Sequence, residues 1–230
     1  MHYIVLDLEW NQPYTPKAAV KRPAHLRGEI IQIGAVKLDR QLHQLDTFKM
    51  LVKPKYYRRM HKRVSRLTRI TDEDLQYGFP FRQAVAFFRA WCSPQSVFLT
   101  WGDNDAEILR AELAVYALSA AWLPEIYDIQ RIFGRQVAKE RRQYSLPHAL
   151  ALIGESAYPT HDALYDAINA ARVLPHLDLE RGIAEYKESQ KEEFREMQER
   201  EPLEGDTEAP AEGWESSGTV LLPANFIRTV

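Results

Sequence analysis

Apolar runs divide most of the chain into predicted strands and helices. Short apolar runs bounded by turn residues predict strands, whereas apolar positions that recur every three to four residues predict helices. The predicted strands cover residues 3–10, 29–38, 46–52, 96–101 and 125–129. The predicted helices cover residues 81–91, 105–117, 146–153 and 163–177, and a helix-start signature lies at 71–74.

The order of these elements predicts the fold class. Three strands come first, and helices then alternate with single strands, which is typical of an α/β domain with a mixed central sheet flanked by helices. The first three strands are close enough in sequence to form an antiparallel meander. We place this domain at residues 1–180 and expect residues 11–28 and 53–69 to be irregular connections.

Residues 181–230 differ in composition from the predicted domain. Residues 180–217 contain 13 acidic and 5 basic residues and carry −8, whereas residues 1–179 carry +5. We expect a charged helix that passes into a disordered C-terminal tail. Within this tail, residues 220–227 form an apolar island that could dock on the domain or on a protein partner. The basic domain is compatible with a polyanionic partner.

Composition excludes several classes of protein. Cys92 is the single cysteine, which excludes an internal disulfide framework and a thiolate metal site. No run of about 18 apolar residues is present, so we expect no membrane span. The first residues lack the pattern of a secretory signal, and we therefore expect a cytoplasmic protein. The oligomeric state is left open.

Two acidic residues interrupt the first predicted strand. Asp7 and Glu9 are two positions apart, so their side chains lie on the same face, and Leu6 and Leu8 point the other way, into the core. Neighbouring carboxylates repel each other unless a cation lies between them, and carboxylate oxygens are ligands that Mg²⁺ prefers. Alone, such a pair is as often a solvated strand end as a metal site.

Further acidic residues follow the strand predicted at 96–101. Gly102, Asp103 and Asp105 come directly after it and precede a predicted helix. Strand ends that lead into loops are where α/β proteins place their sites. Either aspartate could instead cap the helix, and alone this structural role is favoured.

A third cluster lies at the start of the helix predicted at 163–177. His161 and Asp166 are five residues apart, about 140° around a helix, so they cannot share a helical face. We therefore place His161 in the loop that enters the helix and Asp166 in its first turns, where both can converge on one point. Several alanines in this helix would allow it to pack close to the sheet. The alternative is a surface histidine beside an N-cap, Asp162.

Together, the three clusters resemble the DEDD exonuclease superfamily, whose fold is RNase H-like. His161, five residues before Asp166, is typical of the DEDDh branch, since the tyrosine branch has Tyr where this chain has Asp162. The segments Asp7-Leu-Glu-Trp-Asn-Gln12 and Thr100-Trp-Gly-x-x-Asp105 are similar to KapD-type and animal small-RNA-trimming exonucleases. The segment Glu29-Ile-Ile-Gln-Ile-Gly-Ala35 resembles the second strand of the family. The resemblance covers about residues 3–177. One departure is Arg69, where the family usually has glycine.

The resemblance implies an activity, a cofactor and a site. It implies a 3'→5' exonuclease that hydrolyses the terminal phosphodiester bond of a single strand by a two-metal mechanism and releases 5'-monophosphates. The implied metal carboxylates are Asp7, Glu9, Asp105 and Asp166, and His161 is the implied general base. The cofactor is expected to be two Mg²⁺ ions, for which Mn²⁺ can substitute. Asp103 competes with Asp105, which we prefer because the family pattern has the acid that opens the helix three residues after the glycine.

A basic segment follows the third predicted strand. Residues 53–69 contain eight Lys or Arg and no acid, with two tyrosines among them. Positive charge combined with aromatic rings suits a single-stranded backbone with stacking bases, whereas the alternative is a solubilising loop. The predicted substrate-binding residues here are Lys53, Lys55, Tyr56, Arg58, Arg59, Lys62 and Arg63. Leu8, Trp10 and Leu146 are further candidates, to wedge or stack the terminal base, with a core role considered equally.

Two other functions stay open at this point. One is a DNA exonuclease of the same fold that acts in proofreading or repair, since the sequence does not reveal which residue would contact a 2'-hydroxyl; the resemblance favours RNA over DNA. The other is a catalytically inactive nucleic-acid-binding scaffold, which the presence of all five chemical positions disfavours.

Overall fold

A computed structural model of the chain describes residues 1–13, 23, 26–140 and 142–200. Within these residues there are six strands and seven α-helices. The strands are β1 His2–Asn11, β2 Glu29–Leu38, β3 Gln44–Lys53, β4 Phe79–Pro80, β5 Ser96–Thr100 and β6 Ile126–Asp128. The helices are α1 Lys62–Thr68, α2 Phe81–Trp91, α3 Asn104–Val115, α4 Ile129–Phe133, α5 Leu146–Leu152, α6 Ala163–Val173 and α7 Leu179–Arg200. Two 3₁₀ turns lie at Asp74–Gln76 and Leu174–His176.

The strands form one mixed sheet in the order β4-β3-β2-β1-β5-β6. β1, β2 and β3 form the predicted antiparallel meander. β5 lies parallel to β1 but pairs only with residues 2–5, and β6 lies parallel to β5. Within the described residues, the half of β1 that follows Val5 therefore has no strand on its β5 side, and the start of α3 lies in this gap.

Two hydrophobic cores lie on opposite faces of the sheet. The alternation in β1 sends Ile4, Leu6 and Leu8 to one face, where they pack with α2 and α3. Tyr3 and Val5 point to the other face and pack with residues of α4 to α7. In α2, buried Phe81, Ala84, Val85 and Phe88 repeat at helical spacing. This confirms the α/β class with helices on both faces and the inward direction of Leu6 and Leu8.

The structure corrects two details of the predicted elements. Residues 53–69 are not wholly irregular, since α1 forms there, with His61 as its N-cap. It ends at Arg69, whose φ of 61° is left-handed, so arginine occupies the conformation that favours the family's glycine. The strand predicted at 125–129 ends at Asp128, which caps the unpredicted helix α4.

The C-terminal part of the described chain is the helix α7. The compact unit that carries the sheet spans Met1–Gln190 and includes the first turns of α7, where Leu179 and Tyr186 are buried. The apolar island at 220–227 lies outside the described residues, as do residues 14–22 and 24–25 of the predicted loop. No helix in the described part has the length and apolarity needed to cross a membrane.

Candidate active site

β1 and β2 set the position of the first two carboxylates. Asp7 lies opposite Gly34, and Glu9 lies opposite Gln32. Both side chains lie on the face that carries α6, because Leu6 and Leu8 occupy the alternate positions in the opposite core. The acidic pair thus lies at the point where a helix covers the sheet.

The start of α6 is held against β2 beside that pair. A Cβ atom on Gly34 would lie 2.1 Å from the backbone carbon of Ala163, so only glycine permits this approach. The Gln32 side chain accepts a hydrogen bond from the Ala163 backbone N–H at 2.8 Å. Ala163 and Ala167 are fully buried, as expected for a helix that packs close to the sheet. This contact brings the loop before α6 and its first turn to Asp7 and Glu9.

His161 lies in that loop with a left-handed backbone, φ 64°. Its backbone N–H donates to Asp166 Oδ2 at 2.7 Å. The next residue, Asp162, caps α6 and also forms an ion pair with Lys49 of β3. The left-handed backbone of His161 is strained for a residue other than glycine, and such strain is often found at functional sites. In this arrangement, one potential ligand atom from each of Glu9, His161 and Asp166 lies within 4.8 Å of the other two.

Asp105 enters from the other side, through the gap left where β5 ends. Its Oδ1 accepts a hydrogen bond from the Leu8 backbone N–H at 2.8 Å, so this buried carboxylate lies between Asp7 and Glu9 along the strand. Asp103 has different partners, because Arg131 binds it at 3.0 Å and the Tyr186 hydroxyl donates to it at 3.4 Å. The structure thus brings Asp105 to the acidic pair and places Asp103 in a separate ion pair.

The electrostatics show how closely the four carboxylates are grouped. Burial raises the pKa of Asp7 well above its usual value, and Asp105, Asp166 and Glu9 raise this pKa further. Burial, followed by Asp166 and Asp105, raises the pKa of Glu9 to about 8. Burial also raises the pKa of Asp105 to about 7, against the lowering effect of the Leu8 hydrogen bond. Negative charge at this site is therefore costly unless cations are bound.

The donor set fits divalent cations. It offers carboxylate oxygens from three separate elements, β1, α3 and α6, together with one imidazole. Hard divalent ions bind oxygen ligands. A bound cation would also relieve the mutual repulsion of these carboxylates.

The comparisons with known proteins agree with this chemistry. A sequence model of the exonuclease family matches residues 4–174. The chain belongs to the exonuclease family. It is therefore a nuclease, a hydrolase that cleaves nucleic acids, and the resemblance to DEDDh exonucleases seen in the sequence is confirmed. Membership in this family implies dependence on divalent metal ions.

Relatives of the exonuclease include one curated protein and several solved structures. The chain is 25% identical, over 74% of its length and 82% of the relative, to the probable 3'-5' exonuclease KapD of Bacillus subtilis. The nuclease domain of 3'hExo, a DEDDh family member bound to rAMP, matches with a TM-score of 0.65 at 22% identity, over 75% of this chain and 88% of that one. Exonuclease I of E. coli in complex with a dT13 oligonucleotide matches with a TM-score of 0.56 at 16% identity, over 75% of this chain and 40% of that one. These structures confirm the RNase H-like fold.

The three predicted contacts for the terminal base lie differently in the exonuclease. Leu8 and Leu146 are 3% and 7% exposed and belong to the two hydrophobic cores, so of the two roles considered for them they fill the core role. Trp10 is half-buried, and its ring packs over Gly28, where a Cβ atom would lie 2.4 Å from Cδ1. Of these three residues, only Trp10 is not fully buried, and it packs against the core that contains Leu8.

The basic segment of the exonuclease is fastened to the strand that carries Asp7 and Glu9. The side-chain amide of Asn11 donates to the carbonyls of Tyr57 and Arg59, at 2.8 and 2.9 Å, and its oxygen accepts from His61 N. Sequence reasoning missed Asn11 as a functional residue. The available signal was a polar residue that ends an otherwise apolar strand.

Glu29, at the start of β2, is a second residue that holds the basic segment in place and that the sequence did not predict. Its buried carboxylate accepts three backbone N–H bonds, from Lys55, Tyr56 and Tyr57, at 2.5, 2.8 and 2.7 Å. These bonds fix the backbone of the segment while the side chains of Lys53, Lys55, Arg58, Arg59, Lys62 and Arg63 stay exposed.

Proposed function

We propose that this exonuclease removes nucleotides one at a time from the 3' end of a single strand, with RNA as the preferred substrate, and releases nucleoside 5'-monophosphates. The observation that carries the proposal is the convergence of Glu9, His161 and Asp166 within 4.8 Å, beside Asp7 and Asp105. The similarity to KapD, a probable 3'-5' exonuclease, supports the direction, and the rAMP bound to the 3'hExo domain supports the choice of RNA.

The four carboxylates would hold two Mg²⁺ ions, for which Mn²⁺ can substitute. Asp7, Glu9, Asp105 and Asp166 would provide the oxygen ligands of these ions. When bound, such ions lower the pKa of a coordinated water and stabilise charge on the departing oxygen. The same carboxylates repel a substrate phosphate in the absence of cations, which makes activity strictly dependent on metal.

His161 would act as the general base. A water molecule attacks the terminal phosphorus, His161 takes the proton of that water, and the bond from phosphorus to the 3'-oxygen of the preceding nucleotide breaks. That oxygen is protonated and becomes the new 3' end, while the terminal nucleotide leaves with a 5'-phosphate. The left-handed backbone of His161 and its N–H bond to Asp166 fix this loop relative to the carboxylates.

The test is degradation of 5'-labelled, 12-nucleotide RNA and DNA of matched sequence with Mg²⁺ or Mn²⁺. We expect a ladder that shortens from the 3' end, with 5'-monophosphates as products and faster loss of RNA. Asp7→Asn should abolish turnover because a negative charge that would hold the metal ions is lost. Faster degradation of DNA would favour a repair or proofreading exonuclease, and binding without cleavage by the metal-loaded protein would favour an inactive scaffold.

A further inference from the structure

A cavity of about 770 Å³ opens beside the basic segment and has no part in the chemistry described so far. Four parts of the chain form it: the basic segment, residues 72–76 with their 3₁₀ turn, the junction of β4 with α2, and the end of α3. Of the described residues that line it, five are basic and one, Asp72, is acidic. The five are Lys53, Lys55, Arg58, Arg59 and Arg82. One oxygen of the Asp72 carboxylate accepts the Met60 backbone N–H at 2.7 Å, and the basic residues outnumber this acid five to one.

The wall of this cavity is fixed before any ligand arrives. Buried Glu29 holds the backbone N–H groups of Lys55, Tyr56 and Tyr57, and Asn11 holds the carbonyls of Tyr57 and Arg59. Since the backbone is already ordered, a ligand has to order only the ends of the basic side chains. Such preorganisation favours affinity for an anion.

An aromatic ring lies among these cations. Tyr116, the C-cap of α3, packs on Phe81 with ring centroids 4.9 Å apart, and the cationic groups of Lys55 and Arg82 each lie 5.8 Å from its ring centroid. The Arg82 guanidinium donates to the Tyr116 carbonyl. A guanidinium has five N–H donors in a planar fork, so this bond leaves capacity for phosphate oxygens. Cations grouped around an aromatic ring suit a nucleotide, which has both an anionic and a stacking part.

Arg59 joins the cavity to β1, the β-strand that carries Asp7 and Glu9. Arg59 lines the cavity, and its backbone carbonyl is bound by Asn11, which lies two residues after Glu9 on β1. Two residues along a strand span only about 7 Å. The backbone at the cavity wall thus lies close to the β-strand that carries Glu9, and we take a nucleic acid whose 3' end lies at Glu9 to run past Arg59 into the cavity.

From this arrangement we infer that the cavity is an upstream subsite for internal nucleotides of the single strand being degraded. Arg58, Arg59 and Arg82 bind its phosphates, and a base packs near Tyr116. The inference rests on the proposed function, since it takes the 3' end of the strand to lie at the carboxylates. It extends the substrate site to Arg82 and Tyr116, which lie outside the basic segment.

Binding measured without metal separates this inference from catalysis. The probe is a 5'-fluorescein-labelled 12-nucleotide oligouridylate in EDTA, followed by fluorescence anisotropy and compared with a labelled dinucleotide. Arg82→Gln should weaken binding of the 12-mer about tenfold and reduce the slope of log K against log salt by about 0.7, the value expected for one lost phosphate contact on a single strand. Binding of the dinucleotide should not change.

Arg40→Gln is the matched control, because it removes the same charge from an exposed position in the β2–β3 turn, at the opposite end of the sheet. Its binding should equal that of the wild type. Arg58→Gln provides a second test in case Arg82→Gln disturbs folding, which a thermal melt reveals. In the wild type, tight binding of the 12-mer without hydrolysis in Mg²⁺ would defeat the proposed function and leave the subsite standing.

Three results would overturn the subsite. The first is unchanged affinity and salt slope in both Arg82→Gln and Arg58→Gln. The second is an equal loss for the dinucleotide and the 12-mer, which would place the contact at the 3' end. The third is an equal loss for inorganic pyrophosphate, which would make the cavity a site for small anions.

Discussion

Buried carboxylates lie both at the active site and beneath the basic segment, but their surroundings differ. Under the basic segment, Glu29 accepts three backbone N–H bonds, which satisfy its charge within the protein. At the active site, Glu9 has Asp166 and Asp105 as neighbours, and its pKa is raised to about 8. A buried acid surrounded by donors positions the backbone, whereas acids grouped together require a cation. The partners of a buried acid therefore distinguish a structural carboxylate from a metal-binding one, without comparison to any related protein.

Of the predictions that test this comparison, the largest effect is expected when each of the two aspartates that follow β5 is replaced by asparagine, one at a time. Asp105→Asn should lower kcat by about 10³-fold, because several kcal/mol of charge stabilisation in the transition state depend on an intact metal site. Asp103→Asn should lower it less than about tenfold, since Asp103 binds Arg131 and Tyr186. Steady-state cleavage of the 12-mer in Mn²⁺ measures both. A larger loss in Asp103→Asn than in Asp105→Asn would reverse the assignment.

His161→Ala tests the one base in the acidic cluster. Loss of a general base typically costs about 10²-fold or more in rate, so kcat should fall by that factor while binding of the 12-mer in EDTA stays the same. His176→Ala, which removes an exposed histidine outside the site, is the control and should retain full activity. Activity of His161→Ala equal to that of the wild type would exclude His161 as the base.

The sequence predicted the acidic site better than its surroundings, for a physical reason. Asp7 and Glu9 share a face by the period of a strand, and β2 was predicted with the bounds it has, 29–38, because a mostly apolar segment lies there after an irregular connection. Spacing along the chain carries that information. By contrast, α1 contains few apolar residues, and its His61 N-cap contact could not be read from periodicity. The bond from Asn11 to Arg59 joins residues 48 positions apart, which no local pattern encodes.

The smallest expected effect concerns Glu112 of α3, which is intermediate between the two kinds of buried acid. One of its oxygens accepts the Ile30 backbone N–H at 2.7 Å, and within the described residues the other, Oε1, has no hydrogen-bond partner. Burial raises the pKa of Glu112 well above its ordinary value, and neighbouring Glu29 raises it further. The folded protein thus retains a proton here that the unfolded chain releases near pH 4.5.

This predicts a definite sign for the dependence of stability on pH. The favourable contribution of Glu112 is complete below about pH 4.5, the unfolded value, and is lost as the pH rises through the higher pKa of the folded state. Glu112→Gln cannot ionise, so the Tm of the variant minus that of the wild type should increase from pH 5 to pH 9. An unsatisfied buried group costs about 1–3 kcal/mol, which corresponds to a few degrees in a domain of this size. Both proteins are melted in EDTA, so the acids of the active site contribute equally and cancel. A Tm difference that stays constant across this range would show that Glu112 is satisfied by its surroundings, as Glu29 is by its three N–H donors.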